Sequence, residues 1–155
     1  ASQLIRQLKY NQKTSIAHVM AYLLGEHLQH HRETLPEVII PMPIHRNRLY
    51  RRGFNQTMEI AKYLGGILDI PVDYKSCQRT KQIESQTELS IQARRHNVKG
   101  VFRLLKDIPY QHVAILDDVV TTGATAEELT RVLKAAGVKN VEIWCCARTE
   151  ELQFA

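Results

Sequence analysis

Asp117 and Asp118 stand together between an apolar run and a cluster of hydroxyls, in the stretch His112–Thr125, HVAILDDVVTTGAT. Ionised carboxylates only accept hydrogen bonds, and two of them suit a vicinal diol such as the 2- and 3-hydroxyls of a ribose. After two spacers come Thr121, Thr122, Gly123, Ala124 and Thr125. They supply hydroxyl donors, a glycine able to take positive φ, and backbone N–H groups at the start of a helix, which together cradle a phosphate. Asp-Asp and Thr-Gly each occur in purely structural turns, so the weight lies on their order.

Elements on both sides must position this segment. His112–Leu116 is branched and nearly all apolar, which predicts a strand buried on both faces, as in a parallel sheet. The acids then arrive at its carboxyl end, where open α/β sheets bind ligands. Thr125-Ala126-Glu127-Glu128 reads as a capping box, so a helix is expected to begin at Thr125, carry Leu129, Val132, Leu133 and Ala136, and stop at Gly137.

A second concentration of chemistry follows Glu37–Pro41, EVIIP, itself read as a buried strand. His45, Arg46, Arg48, Arg51 and Arg52 put four arginines and a histidine into eight positions. Planar guanidinium forks match phosphate oxygens, although arginine clusters also occur on solvated turns. Asn55 is placed to cap a helix carrying Met58, Ile60, Ala61, Leu64 and Leu68, with Gly65-Gly66 weakening its last turns.

The remaining chain gives softer signals. Ala1–His31 has helical spacing over two segments broken near Asn11, and His27 and His31 lie four apart on one face without an evident third metal ligand. Pro71–Cys77 reads as a short strand, Gln78–Asn97 as a long polar segment of the kind that serves as a functional loop, and Val141–Ala147 as a strand closing the sheet. Cys77, Cys145 and Cys146 are too few and too poorly spaced for a disulfide framework or a metal site.

Composition sets the outer bounds. A chain of 155 residues, 44% hydrophobic and 24% charged, suits one soluble domain. The net charge of +5 fits an anionic ligand without requiring one. With no apolar run long enough to span a bilayer and no secretory signal, a cytoplasmic location and no membrane span are expected. The absence of GKS, GKT and GxGxxG argues against P-loop and Rossmann nucleotide binding.

The strand, acid pair, threonine-glycine turn and helix resemble the phosphoribosyl pyrophosphate (PRPP) loop of type I phosphoribosyltransferases. The resemblance narrows when LIRQLKY at Leu4–Tyr10, PMPIHRNRLYRRGFNQ at Pro41–Gln56, Arg79-Thr80 with Gln86, Leu89, Arg94 and Asn97, DDVVTTGAT at Asp117–Thr125, and IWCCART at Ile143–Thr149 are taken in order. This series is similar to the ComF/GntX family of phosphoribosyltransferase-like proteins over nearly the whole chain, with RRGFNQ as its distinguishing stretch.

That resemblance implies the type I phosphoribosyltransferase fold, a mostly parallel sheet flanked by helices, in one domain with an N-terminal helical part over 1–31. It implies PRPP, or a ribose 5-phosphate nucleotide, held by Asp117, Asp118, Thr121, Thr122, Gly123, Ala124 and Thr125. Arg48, Arg51, Arg52, Gly53, Arg79 and Arg94 would line the pyrophosphate, with Asp117, Asp118, Arg51 and Arg79 carrying catalysis and 78–97 closing as a flexible loop. Mg2+ would be held through the ligand near Asp117 and Asp118, with no dedicated protein site. Transfer of ribose 5-phosphate to an acceptor nitrogen, with loss of pyrophosphate, is the implied reaction. Family members are linked to natural competence, so single-stranded DNA or DNA-processing competence proteins are the implied partners.

Two departures bear on this. Family members carry a Cys-rich, zinc-binding N-terminal segment, whereas this chain has no CxxC and so reads as a fragment. The loop resembles the pyrimidine type, with Thr121 and Ala124 where purine phosphoribosyltransferases commonly have Asp, a candidate base, and Lys. The competing function is a non-catalytic PRPP or nucleotide sensor, or a single-stranded DNA binder using the basic arch at His45–Arg52, with Tyr50 and Phe54 as stacking residues.

Overall fold

The computed structural model describes residues 14–31, 33–81 and 98–148. The first of the two expected N-terminal segments, Lys9 and Tyr10 with it, and the arginines at 94 and 95 lie outside the described residues.

Three parallel strands form the main sheet. They are β1 (Val38–Pro41), β4 (His112–Val120) and β5 (Asn140–Arg148), in the order β1-β4-β5. A separate antiparallel pair joins β2 (Cys77–Arg79) to β3 (Phe102–Leu104). Between β1 and β2 come two helices, α2 (Arg46–Arg52) and α3 (Gln56–Leu68), while α1 (Thr14–His31) precedes the sheet and α4 (Ala124–Ala135) links β4 to β5. Among the described residues no helix is long and apolar enough to cross a membrane.

Successive strand residues point to opposite faces, so the continuous apolar runs of β1 and β4 require cover on both sides. On one side Ile39, Ala114 and Leu116 join Trp144, Ile60, Ala61 and Leu64 of α3, and Ile16, Ala17 and Met20 of α1. On the other, Val38, Ile40, Val113 and Ile115 pack with Leu129 and Leu133 of α4 and with Val101 and Phe102. A sheet covered by helices on both faces results, as expected.

The chain reverses its lateral direction at β1. Ile39 pairs on its far side with Val72, through Ile39 N–H to Pro71 O and Asp73 N–H to Ile39 O, both 2.9 Å, while β4 occupies the near side. Only Val72 of the expected Pro71–Cys77 strand is paired in this way, and the strand that follows is Cys77–Arg79. Gln78 and Arg79 thus belong to regular structure, because Phe102 and Arg103 pair with them from β3, an element that polar Arg103 hides from a hydrophobic pattern.

The Gly65-Gly66 pair does not loosen α3, which continues to Leu68. At Gly65 the chain folds back, with Ile70 N–H bonded to Gly65 O at 2.9 Å, and an added Cβ would stand 2.6 Å from Ile70 O and 2.8 Å from Val72 Cγ2. Gly66 is exposed, and nothing lies within 4 Å of its would-be Cβ. Gly65→Ala is therefore expected to cost about 1–3 kcal/mol through overpacking against backbone. Gly66→Ala should add about 0.5–1 kcal/mol by its better helix propensity. Denaturant unfolding of the two variants checks the pair, and equal effects would refute the packing account.

All three cysteines are free thiols. Burial, helped by the Asp73 charge, pushes Cys77 up to about 12 from an ordinary value of 9.0. Above pH 9 the unfolded chain loses this proton while the folded chain keeps it, so stability falls as pH rises from 9 through 12. Cys77→Ala should reduce the steepness of that alkaline loss, measured as the unfolding midpoint in guanidinium at successive pH values.

Candidate functional site

The crevice is made by strands of unequal length. Pairing of β1 with β4 ends at Pro41 opposite Leu116, with Met42 N–H bonded to Leu116 O at 2.8 Å. β4 continues to Val120 against β5, through Asp117 opposite Cys145, Val119 opposite Ala147 and Val120 opposite Arg148. The acids therefore lie inside the strand and not beyond its end at Leu116. They still open onto the crevice, because β1 has already turned away and the lateral reversal at β1 leaves a gap there.

Being neighbours in an extended strand, the two carboxylates serve different faces. Asp118 faces α3, where Gln56 Nε2 donates to its Oδ2 at 3.3 Å. Asp117 lies in the field of Arg79 from β2. Each acid also accepts the following backbone N–H, Asp118 N to Asp117 Oδ1 at 2.9 Å and Val119 N to Asp118 Oδ1 at 3.0 Å. Both side chains thus lean along the strand toward the turn.

That turn departs from the capping-box expectation. Gly123, in the left-handed region at φ 78°, occupies the N-cap position with no side-chain cap, and α4 starts at Ala124, one residue before Thr125. Glu128 does not reach back to the helix start. It accepts Gly100 N–H at 2.7 Å and holds Arg131 through Nε at 2.9 Å and Nη2 at 2.8 Å, fastening α4 to the turn before β3. With glycine at the cap position, no N-cap side chain satisfies the first N–H groups of α4, and such a helix start suits an anion. Thr121 is exposed and Thr122 and Thr125 half-buried there, with Thr122 Oγ1 accepting Ala124 N–H at 3.4 Å.

The arginine cluster forms a short helix. His45 caps α2 by accepting Asn47 N–H at 3.2 Å, and Gly53, at φ 74°, closes it with N–H to Leu49 O at 2.7 Å. Arg48 and Arg52, four apart, share one face and are half-buried, while Arg51 is exposed. Arg52 Nη1 donates to Gln56 Oε1 at 3.4 Å. Asn55 caps α3 as expected, accepting Thr57 N–H at 3.2 Å, and its Nδ2 reaches back to Met42 O at 3.3 Å.

Arg79 completes the cluster. Its guanidinium lies 5.8 Å from the centre of the Phe102 ring, and its Nε is buried without a hydrogen-bond partner. Burial, followed by the positive charge of Arg48, lowers its pKa, and Asp117 opposes them. Helix α2 and strand β4 thus place Arg48 and Asp117 within electrostatic reach of Arg79 on β2. Distance in the sequence conceals this. Gln56, which no signal beyond the RRGFNQ stretch marked, joins the same site.

The donor set suits magnesium only through a ligand. Two carboxylates alone cannot fill an octahedral oxygen shell, and among the described residues no group of three His, Cys, Asp or Glu gathers to hold a metal. Phe54 lines a cavity of about 380 Å³ together with Leu49, Met58, Asn55, Glu59 and Gln78, whereas Tyr50 is 85% exposed.

Comparison with known proteins adds four findings. Residues 49–153 match the family described as phosphoribosyl transferase domain. The chain is 38% identical over 152 residues to the DNA utilization protein YhgH of Escherichia coli O157:H7, spanning 96% of this chain and 67% of that protein. It is 36% identical over 154 residues to competence protein F of Haemophilus influenzae, spanning 95% of this chain and 67% of that one. Among solved structures, glutamine PRPP amidotransferase from B. subtilis superposes with a TM-score of 0.52 at 16% identity, over 83% of this chain and 26% of that one, a likeness of fold.

Proposed function

Because this chain belongs to the phosphoribosyl transferase domain family, we propose that its crevice binds PRPP with Mg2+ and transfers ribose 5-phosphate to an acceptor, releasing pyrophosphate. The placement of the acids carries this reading: Asp117 and Asp118 lie where β4 runs on past the end of β1 and just ahead of the turn that opens α4, and Gln56 ties Asp118 to Arg52 of the arginine helix. Asp117 and Asp118 take the ribose hydroxyls. Thr121, Thr122, Gly123, Ala124 and Thr125 take the 5-phosphate at the start of α4, and Arg48, Arg51, Arg52, Gly53 and Arg79 the pyrophosphate.

In such a transfer, positive charge grows on the sugar ring while negative charge grows on the leaving pyrophosphate. The guanidinium groups stabilise the second and the carboxylates the first, both in place before reaction. Magnesium, when bound together with PRPP, would supply further positive charge for the leaving pyrophosphate, with Asp117 and Asp118 as the acids nearest to hold it. Arg79 bears most on this because its buried Nε has a donor to give and no acceptor among the described residues to satisfy it.

Calorimetric titration of PRPP with and without magnesium tests the assignment. Magnesium-dependent binding is expected, and its absence would refute it. A second reading rests on Tyr50, 85% exposed among the arginines of α2, which fits base stacking on a basic helix as single-stranded nucleic acid uses it. Salt-sensitive binding of an oligonucleotide without PRPP binding would favour that alternative.

A further inference from the structure

Gln56 is 4% exposed at the first turn of α3 and links the arginine helix to a crevice acid by two side-chain bonds. Its Oε1 accepts Arg52 Nη1 at 3.4 Å and its Nε2 donates to Asp118 Oδ2 at 3.3 Å. Chemistry fixes which way the amide points. Turned over, its oxygen would face a carboxylate and its NH2 a guanidinium, and both pairs would lose their hydrogen bond.

The backbone beneath Gln56 is held as firmly as its amide. Asn55 on one side bonds Met42 O, and Thr57 on the other is buried with Oγ1 bonded to Asn55 Oδ1 at 2.6 Å and to Met42 O at 3.4 Å. Met42 in turn bonds β4 at Leu116, next to the acids. A primary carboxamide of this length is the one side chain that donates to Asp118 while accepting from Arg52. Glutamate lacks the donor and methionine lacks both groups.

We propose that Gln56 is a positioning residue, which holds the Asp118 carboxylate for the ribose and takes its own orientation from Arg52. This rests on the PRPP reading of the site. Arg52 thereby acts twice, once toward the pyrophosphate and once through Gln56 on the sugar side. Each carboxylate oxygen accepts more than one bond, so the bond from Gln56 does not by itself exhaust Asp118 Oδ2 as an acceptor.

The test compares three ligands, PRPP, ribose 5-phosphate and pyrophosphate, on wild type and Gln56→Met in the presence of magnesium. Loss of one charge-assisted hydrogen bond corresponds to about a 10-fold change, so PRPP and ribose 5-phosphate should each weaken about 10-fold and pyrophosphate less than about 2-fold. A ligand-free arm uses thermal unfolding. Gln56→Glu sets a second carboxylate against Asp118 and should lower Tm, and adding Asp118→Asn should recover part of that loss.

The outcomes separate cleanly. If wild type binds PRPP but Gln56→Met leaves ribose 5-phosphate unaffected, the positioning role is overturned while the PRPP reading stands. Equal weakening of pyrophosphate and ribose 5-phosphate assigns Gln56 to scaffold and overturns the role as well. Additive Tm changes in the Gln56→Glu and Asp118→Asn pair overturn the contact itself. A wild type that binds no PRPP refutes the reading and the role together.

Discussion

Asp117→Asn combined with Asp118→Asn is expected to abolish PRPP binding while leaving the fold in place. The change is isosteric, so packing is preserved, but each asparagine offers one acceptor oxygen and turns two N–H donors toward a diol that must itself donate. Each charge-assisted hydrogen bond contributes about 1.5–3 kcal/mol, so losing one per acid weakens binding by about 10² to 10⁴-fold. Both acids are half-buried at the free margin of β4, outside the two apolar clusters, so the melting temperature should move by a few degrees at most. Calorimetry with PRPP and a thermal melt on the same sample make the comparison. Unchanged affinity in the double variant would refute the ribose assignment.

The second large effect is expected at Arg79, and there binding and stability should part. Arg79→Met removes a buried Nε that has no hydrogen-bond partner and keeps a flexible apolar chain against Phe102. An unsatisfied buried donor costs about 1–3 kcal/mol, so the variant should unfold at the same temperature as wild type or higher. Pyrophosphate affinity should meanwhile fall by about 10-fold or more for the lost charged contact. Such an opposition marks a group kept for its ligand and not for the fold. Loss of stability with undiminished pyrophosphate binding, followed by competition against PRPP, would make Arg79 a structural residue.

Much of the scaffold was legible because its causes are local. The apolar run before Asp117 demanded a buried strand, and β1, β4 and β5 lie where such runs stand. Asn55 capped α3 because an Asx side chain ahead of a periodic apolar stripe has one good use for its oxygen. The arginine-rich stretch was equally visible as charge, though its helix was not, since a seven-residue element between a histidine cap and a left-handed glycine follows from its ends more than from any period.

The misplacements share another cause. The strand was expected to stop before the acids, since polar residues end an apolar run, but β5 pairs with β4 through Val120 and carries Asp117 and Asp118 into regular structure. Thr125 was expected to cap α4, but Gly123 reverses the chain first and frees Glu128 to bind Arg131 and Gly100. Strand β3 escaped notice because it is three residues long and is held by its partner β2.

By itself the sequence determined the α/β architecture, the family, and residue types whose chemistry suits a phosphate and a diol, because spacing, capping chemistry and side-chain inventory act over a few residues. Only the tertiary structure decided that Asp118 meets Gln56, and that Arg79 lies in the fields of Asp117 and of Arg48, the latter more than thirty residues away along the chain. Those meetings depend on where β1 stops beside β4 and on which side of β1 the chain returns, and sheet pairing between distant segments sets both.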